Sequence, residues 1–396
     1  MFQDFIKIIL FYIIKAFPKN NNLLVFGDRA GRRFADNSRH LFFYISYNHK
    51  NFKCIWISKD KKIIKYLRSK NFSSFHCNSV LGIYYCLRAK YHIYNFVEDD
   101  INKYITQFSD SILLWHGVLP KKLREIKVTS TKIIDKINNR ISKHFIYPNK
   151  ELSKNIMDRF PKNKYKLTIS NLPRNLILDK YSKENQDYFR TTEEIEFLDS
   201  IKKEKKNIFG YFPTWREDGL ELFRDLKNLD QLKITDKILG ETNSLILIKQ
   251  HMNSDKKDKN TLYNQEIERI IDYLETLKNF KFVKYDFDLN SILSECHVLI
   301  SDYSGVIFDF LYLDRPIIIY APDYKEFKKN NGFNLDPVEN DFTYFSNNLE
   351  SLNNLILNFY SEKKSFNEKH RTKRNNIKKK VFLENLKIEN ITNLIF

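Results

Sequence analysis

Glycine and proline are scarce in this chain, with 9 of each among 396 residues. Glycine loops that cradle phosphate are absent: there is no P-loop pattern and no G-x-G-x-x-G after a strand. No G-x-S-x-G nucleophile elbow occurs either. Cysteine is also sparse. Cys54, Cys77, Cys86 and Cys296 stand apart, none in a C-x-x-C pair, so a structural zinc site is not expected. They read as reduced, partly buried thiols of a cytosolic protein. No H-x-x-x-H or H-E-x-x-H pair offers a metal site. Long apolar runs are missing. The most apolar stretch is the N-terminus, "MFQDFIKIILFYIIKAFPKN", which Asp4, Lys7 and Lys15 interrupt and Pro18 closes. It is shorter than the roughly 20 residues needed to span a bilayer. No small-residue cleavage site follows it, so a signal peptide is not expected.

What is present is positive charge and aromatic bulk. Lys and Arg number 67 against 49 Asp and Glu, a net charge of +18. That surplus favours anionic partners: nucleic acid, anionic lipid or phosphorylated substrates. The crowding of Lys, Asn, Ile, Phe and Tyr resembles the usage expected of an AT-rich coding sequence, so part of the surplus is expected to carry no function. At 42% hydrophobic and 15% aromatic the chain buries a substantial core, and its length suggests two or three domains. Along residues 1–17 the apolar side chains cover nearly the whole helix circumference. The helix is expected to be buried in something, either its own domain or a membrane interface.

Short apolar strands alternate with amphipathic helical stretches. Strands are predicted at Leu23–Phe26, Lys53–Ile57, Tyr91–Tyr94, Leu113–Trp115 and Phe145–Tyr147. A highly charged, strandless segment over Lys180–Lys206 is the candidate boundary. A second series follows at Ile208–Phe212, Ser244–Ile248, Lys281–Val283, Val298–Ser301 and Pro316–Tyr320. Two such βαβ series imply two mostly parallel sheets with a cleft between them.

Four strand ends carry polar clusters. In "SILLWHGVLPKKLREI" the apolar run stops at His116-Gly117, with Lys121 and Lys122 beyond. In open α/β sheets ligands bind at the carboxyl ends of strands, so His116 is placed to touch a substrate. In "IFGYFPTWRED" the strand ends at Pro213, followed by Thr214 and Arg216, a side chain suited to bidentate phosphate binding. In "SLILIKQHMN" alternation puts Lys249 and His251 on one side. In "CHVLISDYSGVIFDF" Ser301, Asp302, Tyr303, Ser304 and Gly305 lead into a helix, where backbone N–H groups can hold an anion. A structural histidine, a surface arginine and N-caps explain each cluster singly. Four together point to metal-independent chemistry on a diphosphate.

With these motifs the chain resembles the CDP-glycerol:poly(glycerophosphate) glycerophosphotransferase family. That family reads W-H-G-T-P-L-K-x-L, P-T-W-R-D, K-P-H-P and T-D-Y-S-S-x-x-F-D-[FY]. Here stand "WHGVLPKKL", "PTWRED", "KQHMN" and "SDYSGVIFDF". "RPIIIYAPD" and "GFNLD" match two further elements, and "GRRFADNSRHLF" and "NLPRNLIL" two upstream ones. The departures are Val118 for threonine, the order Leu119-Pro120, Gln250 and Met252 for the prolines around His251, Gly305 for serine and His297 for aspartate.

The resemblance implies an α/β fold of GT-B type, two Rossmann-like domains with parallel sheets facing an interdomain cleft. Residues 1–185 would form the acceptor-side domain and 186–396 the donor domain, whose basic tail helix crosses back. The implied reaction moves glycerol phosphate or ribitol phosphate from a CDP-alditol to an acceptor hydroxyl, releasing CMP, as in teichoic acid or capsule synthesis. His116 falls in the motif assigned to the general base. Arg216 and His251 would join it in catalysis. Pro213, Thr214, Arg216, Lys249, His251 and Ser301 to Gly305 would hold the donor. Gly117, Lys121, Lys122, Asp36, Asn37 and Arg174 would serve the acceptor side, with Gly117 leaving room for the acceptor. No metal and no cofactor is implied. The implied partners are a lipid-linked or polyanionic glycan and the anionic cytoplasmic face of the membrane, bound peripherally, rather than nucleic acid. A GT-B nucleotide-sugar glycosyltransferase and a non-catalytic binder of anionic polymers or membranes remain alternatives.

Overall fold

The computed structural model describes residues 2–122, 139–160, 164–178, 187–214, 222–226, 228–249, 262–382 and 388–396. Two parallel sheets organise it. The first comprises β1 (Asn20–Gly27), β2 (Lys53–Ser58), β3 (Ser73–His76), β4 (Ala89–Tyr94), β5 (Ser111–Leu113), β6 (Lys143–Tyr147) and β7 (Lys166–Ile169). Its spatial order is β3-β2-β1-β4-β5-β6-β7. The second comprises β8 (Asn207–Tyr211), β9 (Ser244–Ile248), β10 (Phe280–Phe282), β11 (Val298–Ser301), β12 (Ile317–Tyr320) and β13 (Tyr344–Ser346), in the order β10-β9-β8-β11-β12-β13. Each sheet thus carries the 3-2-1-4-5-6 order of a Rossmann fold, whose order reverses beside the first strand and opens a crevice there.

The strands form where the pattern demands burial on both faces. β9, "SLILI", is buried throughout. Its alternation splits the core: Leu245 and Leu247 join the apolar cluster continuous with the first sheet, while Ile246 and Ile248 join a separate cluster with Ile300 and Ile318. Each fully buried side chain of this kind contributes about 1.5–3 kcal/mol. All ten expected strands appear. β3, β7 and β13 are additional; their short sequences, SSFH, KLTI and YFS, carry too few apolar residues to announce a strand.

One expectation needs adjustment. The strand expected at Leu113–Trp115 ends at Leu113, and Trp115 adopts φ 61°, so the chain turns one residue before His116. The segment Asp187–Lys206 contains the helix Thr192–Lys203, capped by a Thr191/Glu194 box, and no strand. At the tail, Asn390 Nδ2 donates to Ile169 O at 3.0 Å and Phe396 stacks on Phe52 at 4.6 Å. The last helix therefore packs on the first sheet's unit.

Helices on the first sheet are α1 (Phe2–Ala16), α2 (Asp36–Asn48), α3 (Lys61–Ser69), α4 (Val80–Arg88) and α5 (Lys103–Thr106). In α1, Phe11 and Ile14 are buried, Phe11 against Phe108. Its other side exposes Ile6, Ile9, Tyr12 and Ile13. Among the described residues no helix is long and apolar enough to cross a membrane.

Candidate active site

α2 starts at Asp36, held at φ 59°. That strained conformation is stored where the surroundings over-determine it. The Asp36 N–H donates to Asp288 Oδ2 at 3.0 Å, across the cleft. Its own carboxylate accepts from Arg174 Nη1 at 3.0 Å and faces His116 Nδ1 at 3.4 Å. Burial works to raise the Asp36 carboxyl, but Arg174 and His116 outweigh it and hold the group well below the usual carboxylate range. An ionised Asp36 keeps the proton of His116 on Nδ1 and leaves Nε2 as the basic nitrogen. His116 itself is depressed, chiefly by burial and further by Arg29 and Arg174, with Asp36 opposing. A neutral imidazole at strand-end depth can accept a proton from a hydroxyl.

Asn37 fixes the backbone around it. Its Nδ2 donates to Trp115 O at 2.8 Å and its Oδ1 accepts from Arg174 N at 3.0 Å. Arg174 in turn pairs Asp36 with Asp309, whose Oδ2 lies 2.6 Å from Nη2. Burial pushes Asp309 up to about 6, with Arg174 opposing. Arg174 thereby bridges the helix of one unit to the helix Val306–Phe310 of the other. Gly117 sits at φ 101°, and a β-carbon there would overlap the Arg174 guanidinium. The place of a side chain at Gly117 is thus filled by the Arg174 guanidinium.

The segment after His116 is sewn to the second unit. Pro120 O accepts from Asn334 N at 2.7 Å and Leu335 N at 3.2 Å, and Lys122 N donates to Gly332 O at 3.2 Å. Lys121 bridges Phe333 in antiparallel fashion. The "GFNLD" motif is therefore the receptor for the His116 loop.

On the donor side, most of the expected side chains are engaged in the scaffold. Ser301 Oγ donates to Phe212 O at 2.7 Å. Asp302 Oδ1 accepts from Thr214 N at 2.9 Å, Thr214 Oγ1 at 2.5 Å and Tyr303 N at 2.6 Å. Tyr303 stacks on Phe327 at 3.7 Å and donates to Asp323 at 2.8 Å. Pro213 is buried beside Thr214, and Ser304 and Gly305 are half-buried at the helix start. Lys249 is buried, and its Nζ donates to the carbonyls of Lys284 at 3.0 Å and Tyr285 at 2.7 Å. Burial, then Arg33, lowers it to about 8. Arg216 and His251 lie outside the described residues.

Sequence reasoning missed the buried ion network behind this site. Arg39 pairs bidentately with Glu194 at 2.9 and 2.6 Å, and Glu194 Oε1 also accepts from Asp288 N at 2.7 Å. Asp288 Oδ1 accepts from His40 Nε2 at 2.9 Å and caps the helix Leu289–Leu293. Only that cap was readable, as Asp before an apolar helical start. The His297 departure is structural: its Nδ1 accepts from Ile208 N at 3.0 Å, and burial lowers the ring to about 4. Among the described residues no group of His, Cys, Asp and Glu could hold a metal ion.

Two Rossmann-type parallel sheets, with the polar strand ends gathered between them, define a GT-B fold. The chain belongs to the CDP-Glycerol:Poly(glycerophosphate) glycerophosphotransferase family, whose model matches residues 9–387. It is 27% identical over 353 residues to the teichoic acid poly(glycerol phosphate) polymerase of Bacillus spizizenii, covering 83% of this chain and 81% of that protein. It is 26% identical over 351 residues to the Bacillus subtilis (strain 168) polymerase of that name, covering 83% of this chain but spanning only 42% of that relative. The structure of the wall teichoic acid polymerase TagF superposes with a TM-score of 0.68 at 20% identity, covering 98% of this chain and 92% of that one.

Proposed function

We propose that the protein moves an alditol phosphate from a CDP-alditol to a hydroxyl of a teichoic acid-like or capsular chain and releases CMP. The observation that carries this reading is the His116–Asp36 pair at the cleft end of β5, inside the family's histidine motif. In the reaction, His116 Nε2 takes the proton of the acceptor hydroxyl. The freed oxygen forms a bond to the phosphorus bearing the alditol, and the bond from that phosphorus to the CMP oxygen breaks. Arg216, His251 and Lys249 balance charge on the diphosphate. The backbone at Ser304 and Gly305 approaches its oxygens. Asp36, Asn37 and Arg174 position His116. Residues 1–185 handle the acceptor and 186–396 the donor.

The same reading puts the protein peripherally on the anionic cytoplasmic face of a membrane. Two apolar surfaces support this. α1 exposes Ile6, Ile9 and Ile13, and α4 exposes Val80 (85%), Leu81 and Tyr84. Lys19 Nζ ties the chain after α1 to Leu87 O of α4 at 2.8 Å. The net charge of +18 adds electrostatic attraction to anionic lipid.

The test is incubation with CDP-glycerol, CDP-ribitol, UDP-sugars and GDP-sugars in the presence of acceptor. CMP release from a CDP-alditol alone is expected. Release of UDP or GDP instead would replace this reading with that of a sugar transferase.

A further inference from the structure

Arg32 and Arg33, after the turn Arg29–Gly31 that follows β1, have no part in the reaction above. Together with Lys62 they line one side of a cavity of about 540 Å³ between the two sheets, and Lys284 and Tyr285, after β10, line the other. That volume is typical of a small-molecule site. Arg33 stacks over the Tyr285 ring at 3.5 Å and donates to Tyr285 O at 2.9 Å. Lys249 donates to the same carbonyl, so the cavity wall and the end of β9 form one piece. Arg39, also in the lining, is buried with its Nε unpartnered. Against Arg32, Arg33, Lys62 and Lys284 stand Asp60, Glu193 and Asp286. Of these, Asp60 is already engaged in capping α3 at Lys62 N. The balance favours an anion, and the aromatic walls at Tyr66 and Tyr285 favour one carried on carbon. Neither Thr214 nor Ser301 to Gly305 reaches the lining. In the sheet order β1, whose following loop supplies Arg32 and Arg33, stands two strands from β5, which leads into His116.

We propose that this cavity is a second subsite for the acceptor, holding a phosphodiester-linked polyol segment a short way along the chain from the hydroxyl that reacts. The proposal rests on the transfer reading for the identity of its ligand, but its test does not. The side chains of Arg32 and Lys62 are exposed, so Arg32→Ala and Lys62→Ala leave the core untouched. Full-length wild type and the double variant are titrated calorimetrically with a synthetic oligo(glycerol phosphate) and, separately, with CDP; thermal unfolding verifies the fold. Expected is a roughly tenfold weaker oligomer affinity in the variant, equivalent to about 1.4 kcal/mol, with CDP affinity unchanged. High salt should weaken the wild-type interaction. An oligomer that fails to bind wild type, or binds both proteins equally, overturns the subsite. A parallel loss of CDP affinity also overturns it and assigns the cavity to the donor. Absence of CMP release from any CDP-alditol would sink the transfer reading without altering these binding results.

Discussion

The carbonyl oxygen of Val118 occupies the space where a β-carbon on Gly305 would lie. Both residues depart from the family pattern, and they meet across the cleft, between the His116 loop and the donor-side helix start. The bare glycine allows the loop to approach.

Gly305→Ser is therefore expected to push the His116 loop away. Overpacking of this kind costs about 1–3 kcal/mol. kcat/KM for transfer should fall roughly tenfold or more, while the thermal midpoint moves little, because the strain is relieved by opening the cleft. Steady-state kinetics beside a melting curve checks this. Wild-type kinetics in the variant would mean the contact does not matter.

His116→Ala should lower turnover by about 10²–10⁴ and leave CDP affinity unchanged. The acid limb of the rate profile is expected to follow His116, which must be neutral to act. Asp36 raises the His116 pKa against burial. Asp36→Asn removes that support, so the limb should move to lower pH even as the rate drops through lost orientation. A limb that stays put would assign it to another group.

Asp288 is expected to contribute to the pH dependence of stability in acid. Burial alone would raise its carboxyl, but His40, Arg39 and the Asp36 N–H hold it well below its unfolded value. A depressed carboxyl stabilises the fold above about pH 3.9, and this stabilisation is lost as pH falls toward the folded value. Asp288→Ala should cost about 3–5 kcal/mol at pH 7, since it strands buried partners. Its stability should also change less between pH 5 and pH 2 than that of wild type. Denaturant titrations at these pH values decide it.

Membrane attachment should depend on α4 as well as α1. Val80→Asp combined with Leu81→Asp changes exposed side chains only. The variant should remain folded yet float poorly with anionic liposomes at low salt. Each basic residue near such a surface adds about 1 kcal/mol of attraction, so high salt should weaken flotation of wild type too. Equal flotation of both proteins would remove α4 from the contact, and failure of wild type to float would end the membrane reading.

The sequence by itself determined the two alternating series, the parallel sheets and the four polar strand ends. These are local properties: apolar runs of strand length, and a histidine, arginine or serine where each run stops. The family motifs rest on the same short stretches. Tertiary structure alone decided which of these residues act together. Arg39 and Glu194 are 155 positions apart, His40 and Asp288 248, and Arg174 and Asp309 135. No periodicity connects such pairs. A charge is tolerated in a buried interface only when its partner arrives from the other unit, so the pairing exists only once both sheets have folded and closed. The same holds for Gly117 and Gly305. In sequence Gly117 reads as room for an acceptor and Gly305 as part of an anion-holding helix start, but at each the place of a side chain is filled from elsewhere in the chain, by the Arg174 guanidinium or the Val118 carbonyl.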